Sequence, residues 1–188
     1  MKCPTLLSII STISILTILS SVALSRLTDG VYTIRSHQGS YLADNKTVPG
    51  DLVEYIRDIP ASVSALPHAQ WTVVQNKEAS SSNLFSIRNR HSNLFLSLDH
   101  SMDTKRNPYR DDEPVRLQKE YQDWYLDSTE TAGYYDIESP VMGHQEKAYA
   151  IKSPEGAEGE RERRGLTLKD VVALPSTHRG WLFEAVKS

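Results

Sequence analysis

Val31-Tyr32-Thr33-Ile34-Arg35, Leu84-Phe85-Ser86-Ile87-Arg88 and Tyr134-Tyr135-Asp136-Ile137-Glu138 are three versions of one five-residue phrase. In each, an aromatic residue and an isoleucine stand two apart, so both side chains leave the same face of an extended strand. The pairs are Tyr32 with Ile34, Phe85 with Ile87, and Tyr135 with Ile137, and the residues between and after them are polar or charged. That alternation is the mark of a strand buried on one face only. A second short apolar run follows each phrase, at Ser40–Ala43, Leu94–Leu98 and Ala148–Ile151.

The repetition continues to the end of each unit. Trp71 with Val73, Trp124 with Leu126 and Trp181 with Phe183 again place two apolar side chains two apart. The tryptophans are 53 and 57 residues apart, and Tyr32, Phe85 and Tyr135 are 53 and 50 apart. A third strand is expected before each tryptophan, at Val63–Leu66, Val115–Leu117 and Val171–Leu174. The exits Leu66-Pro67 and Leu174-Pro175 suit a strand end, because proline has no N–H for the ladder. Three units of four short strands, without a helical period, predict an all-β fold of the β-trefoil type rather than a generic β-sandwich. The expected repeats are about 27–76, 83–128 and 133–188, in a single domain over 26–188. Tyr32, Ile34, Trp71, Phe85, Ile87, Trp124, Tyr135, Ile137, Trp181 and Phe183 are its expected core.

The N-terminal segment reads differently. Lys2 precedes an uncharged run from Leu6 to Leu24, and Ala23-Leu24-Ser25 offers small residues at a cleavage site. Residues 1–25 are therefore expected to be a signal peptide, favoured over a membrane anchor by the Ser and Thr content, and the product to be secreted. Cys3, the only cysteine, lies in that leader, so neither a disulfide nor a thiol nucleophile is expected in the mature chain. Loss of Lys2 leaves 20 basic residues against 24 acidic ones, a net charge of −4. That balance gives no footprint for nucleic acid, and no stable membrane association is expected once the leader is gone. A monomer is expected.

Long connections lie at Asp44–Pro60, Asp99–Pro114 and Lys152–Asp170, each between strands two and three of its unit. Threefold pseudo-symmetry puts them at one level, where loops of this length commonly carry function. Basic residues stand on them: Lys46 and Arg57, then Lys105, Arg106 and Arg110, then Arg161, Arg163 and Arg164. A lysine or arginine held out on a rigid barrel suits the anionic pocket of a trypsin-like protease. Asn45-Lys46-Thr47 is a glycosylation sequon on the expected secretory route.

Catalysis finds no motif. The chain has no nucleophile elbow, phosphate loop or His-Glu-x-x-His. The histidines His37, His68, His91, His100, His144 and His178 do not fall at metal-ligand spacing. The expectation is a protein that is not an enzyme and carries no cofactor and no metal. Gln122-Asp123-Trp124 matches the Gln-x-Trp of sugar-binding trefoils, but Ala69 and Arg179 stand at the other two glutamine positions. A carbohydrate partner therefore enters as the alternative reading, together with a secreted effector that presents loops without inhibiting.

The chain resembles the fungal β-trefoil serine-protease inhibitors of the cospin and mycospin type. The resemblance is carried by Gly30-Val-Tyr-Thr-Ile-Arg35, Val171-Val-Ala-Leu-Pro175 and Gly180-Trp-Leu-Phe-Glu184. It implies a serine protease as partner and a reactive residue on the first long loop, at Asn45 or Lys46. A glycan on Asn45 would shield Lys46 and pass that role to Lys105 or Arg106.

Overall fold

A computed structural model of the chain describes residues 26–44, 49, 54–56, 66–98, 114–140, 149–152, 168–170 and 180–187. The three phrases are strands: β1 (Gly30–Ser36), β5 (Leu84–Asn89) and β9 (Tyr134–Glu138). The tryptophans begin or lie within β4 (Gln70–Gln75), β8 (Asp123–Ser128) and β12 (Trp181–Ala185). Between them lie short pairs of strands. These are β2 (Tyr41–Ala43) with β3 (Glu54–Ile56), β6 (Phe95–Leu98) with β7 (Val115–Gln118), and β10 (Tyr149–Ile151) with β11 (Leu168–Asp170).

The ladder pattern closes on itself. β1 pairs with β4, β4 with β5, β5 with β8, β8 with β9, β9 with β12, and β12 with β1. Six antiparallel strands thus form a barrel without an open edge. The three hairpins hang from β1, β5 and β9. Alternation sends Tyr32, Ile34, Phe85, Ile87, Tyr135 and Ile137 inward with Trp71, Trp124, Trp181 and Phe183, and all ten are buried.

Two hairpin turns show how short polar residues set the geometry. Ser36 Oγ accepts the N–H groups of Gln38 and Ser40, and Gly39 supplies the left-handed conformation at φ 86°. At the matching place Asn89 Oδ1 accepts the N–H groups of His91 and Ser92, and Asn93 takes φ 63°.

In the first and third units the hairpin partner of strand two lies earlier in the chain than the apolar runs expected for it. β3 is at Glu54–Ile56 and β11 at Leu168–Asp170; of the expected strands Val63–Leu66 and Val171–Leu174, only Leu66 is among the described residues, and it is not in a strand. These strands are held by backbone pairing, Tyr41 opposite Ile56 and Tyr149 opposite Asp170, and a three-residue strand needs no apolar run. Leu66 is exposed, and Pro67 opens a single 3-10 turn, Pro67–Ala69, where its missing N–H costs nothing. Arg57 consequently follows β3 and leaves the connection between strands two and three.

Candidate functional site

Each tryptophan turns its indole N–H to a backbone carbonyl of the hairpin above it. Trp71 Nε1 donates to Leu42 O at 3.1 Å, Trp124 to Leu96 O at 2.9 Å and Trp181 to Ile151 O at 3.1 Å. These bonds align the three units residue by residue and make the tryptophans framework, not ligand platforms.

The same alignment explains the lone Gln-x-Trp. Gln122 is buried, and its Oε1 accepts from Ser97 Oγ at 3.0 Å and from Leu98 N at 2.9 Å. In the first unit Leu98 is matched by Asp44, whose N–H instead donates to His68 O at 2.9 Å. A main-chain carbonyl there does the work of the glutamine, so Ala69 suffices at the glutamine position. Gln122 is a strut between β6 and the approach to β8.

Beside that strut the barrel wall carries an exposed aromatic face. Strand alternation turns Val74, Ser86 and Asp123 outward in one cross-strand row. Tyr121, immediately before Gln122, is 53% exposed, and its ring meets Phe95 edge-on at 5.5 Å between centroids. Its hydroxyl donates to Asp123 Oδ1, and Asn76 Nδ2 donates to Asp123 Oδ2 at 2.7 Å. Both carboxylate oxygens are therefore engaged from opposite sides. Desolvation of the hydroxyl end, then the bond and charge of Asp123, push the Tyr121 phenol up to about 12, against a smaller opposing effect of Ser86. Arg88 completes the face, its guanidinium 5.7 Å from the centre of the Phe95 ring.

The chemistry on offer is binding. An aromatic surface flanked by a carboxylate, an amide and a guanidinium can pack an amphipathic ligand and hydrogen-bond its polar groups. Among the described residues no three His, Cys, Asp or Glu side chains converge as a metal site.

Asn45, Lys46, Arg57, Lys105 and Arg106, the residues expected to meet a protease, lie outside the described residues. The aromatic face was not among the expected sites. Its one sequence signal is Tyr121 itself, an aromatic outside the strand alternation and next to the single Gln-x-Trp.

Solved structures share this architecture. The agglutinin of Rhizoctonia solani superposes with a TM-score of 0.63 at 11% identity, over 86% of this chain and 98% of that one. The ricin B-like lectin of Macrolepiota procera, in complex with lactose, gives 0.58 at 12% identity over 86% and 99%. ThreeFoil, a designed threefold-symmetric protein, gives 0.55 at 17% over 84% and 100%. The chain is a β-trefoil. No protein-family profile and no curated protein matches its sequence. At these identities the likeness is one of fold, and in this trefoil the functional reading rests on the face just described.

Proposed function

We propose that this protein is a non-catalytic, secreted carbohydrate-binding trefoil whose binding face is centred on Tyr121. The observation that carries the proposal is the exposed Tyr121 ring, anchored by its hydroxyl to Asp123 and braced by Phe95. Such a ring can pack against the apolar C–H face of a sugar, while Asn76 and Asp123 stand beside it for vicinal hydroxyls. The lectins of the same fold, one solved with lactose, add support from outside the chain. The test is binding of the purified protein to a panel of oligosaccharides. Wild-type binding that Tyr121→Ala reduces by at least about tenfold, roughly one lost aromatic contact, upholds the reading. Absence of binding across the panel overturns it.

A second reading keeps serine-protease inhibition. It is favoured by the position of residues 99–113 between β6 and β7, which carries Lys105 and Arg106 on a connection within a hairpin that hangs from a closed barrel. Titration of trypsin-like and subtilisin-like proteases decides it, and full residual activity at excess protein ends it.

A further inference from the structure

The first and second units share an arginine stacked on an aromatic ring but differ in its counterion, and the difference falls on the aromatic face. In the first unit Arg35 lies opposite Tyr41 across the β1–β2 pair, with its guanidinium 5.9 Å from the ring centre. Its counterion is Glu184, with Nη2 to Oε1 at 3.3 Å. In the second unit Arg88 lies opposite Phe95 in the same way, at 5.7 Å. The residue equivalent to Glu184, three beyond the tryptophan, is here Val74. Glu184 lies opposite Thr33, and Val74 lies opposite Ser86, so the match holds across the ladder as well as along the chain. Val74 is 42% exposed, so the place of the missing carboxylate is open to solvent. Among the described residues no carboxylate forms an ion pair with Arg88. Asp123, which lies opposite Ser86 on the neighbouring strand, is already held by Tyr121 and Asn76.

We propose that the ligand of this face is an acidic saccharide, whose carboxylate takes the place beside Arg88 that Glu184 takes beside Arg35. This rests on the carbohydrate-binding reading and deepens it. Val74 and Phe95 would line the apolar side of the sugar ring, Tyr121 would pack on its face, and the guanidinium would receive the charge through two parallel N–H···O bonds. An acidic peptide is the weaker occupant. Strands β4, β5 and β8 are each paired on both sides within the closed barrel, so the face has no free edge to which a peptide main chain could add. Glu78 belongs to the same surroundings, since its charge acts on Tyr121.

The experiment compares matched pairs of sugars on protein expressed from the full-length sequence. The pairs are sialyllactose with lactose, and trigalacturonate with its carboxyl-reduced form, with affinities measured by calorimetry at low and at moderate salt. The acidic member of at least one pair should bind about tenfold or more tightly, the scale of one charge-assisted bond pair. That advantage should shrink as salt is raised. Arg88→Gln should erase it, and so should Val74→Glu, which restores the counterion that the first unit has. Both positions are at the surface, and unchanged melting temperatures identify variants that have kept the fold. Equal affinity within both pairs, or an acidic preference that survives Arg88→Gln, overturns the proposal and leaves carbohydrate binding standing. No binding by any of the four sugars, with the wider panel also negative, removes both. Displacement of the acidic sugar by a glutamate-rich peptide at equal concentration overturns the choice of a saccharide.

Discussion

Trp124 and Leu96 are joined by an indole N–H to carbonyl bond of 2.9 Å in the fully buried centre of the barrel. Trp71 with Leu42 and Trp181 with Ile151 repeat it. Phenylalanine at any of these positions keeps an aromatic ring but strands a buried carbonyl. Each Trp→Phe change should cost at least about 1–3 kcal/mol, more where the smaller ring leaves a gap. Urea unfolding of the three single variants checks this, and a variant as stable as wild type contradicts it.

Gln122 and Ala69 occupy equivalent places with opposite solutions. Gln122→Ala removes the acceptor for both Ser97 Oγ and Leu98 N, with an expected loss of about 1–3 kcal/mol. Ala69→Gln recreates the Gln-x-Trp motif, yet Asp44 N is already bonded to His68 O and Ala69 is fully buried. It should destabilise by about 1–3 kcal/mol through overpacking. Denaturation midpoints of the two variants should therefore both fall. A stabilised Ala69→Gln protein would sink the argument.

Tyr121 should ionise late. Its folded value of about 12 lies above the ordinary 10.0 of a tyrosine, so the neutral phenol is the form that the fold favours. The corresponding stability is fully present below pH 10 and is lost as pH rises toward 12. Phenolate absorbance of wild type and Asp123→Asn, titrated side by side, tests this. The substitution should move one late-titrating tyrosine to lower pH.

Asp29 shows the opposite dependence at the other end of the scale. Its Oδ1 accepts the Gln75 N–H at 2.7 Å, which holds the carboxyl below its usual 3.8, and Lys77 adds to this at 3.3 Å. The stabilisation is present above that value and is lost as pH falls through the lower folded one. Asp29→Asn should lower the melting temperature at neutral pH and flatten its dependence on pH below about 4.

The barrel was legible because its strands obey two rules that a sequence displays, alternation and repetition. Tyr32 with Ile34, Phe85 with Ile87 and Tyr135 with Ile137 announced it three times. The hairpin strands β3 and β11 follow neither rule. Glu54–Ile56 and Leu168–Asp170 are fixed by main-chain pairing to partners defined first, with no apolar alternation of their own to announce them. Pro67 misled for a related reason, since the residue that ends a strand also suits the first position of a 3-10 turn. The candidate face was hidden more deeply. Tyr121, Asp123 and Asn76 come from two connections and a strand, 45 or more residues apart between Asn76 and the other two, and no linear motif joins them. Only the fold brings them together, and only the alignment of units exposes Val74 as the place of a missing glutamate.

β1 and β12 are zipped through five register pairs, from Tyr32 opposite Ala185 to Ser36 opposite Trp181. Arg35 and Glu184, which bond across this seam, are 149 residues apart. During synthesis the opening strand must therefore wait, with one side of its backbone unpaired, until β12 has emerged. The barrel can close only in that last step, so a nascent chain stalled before β12 would leave two sticky strand edges for chaperones to shelter.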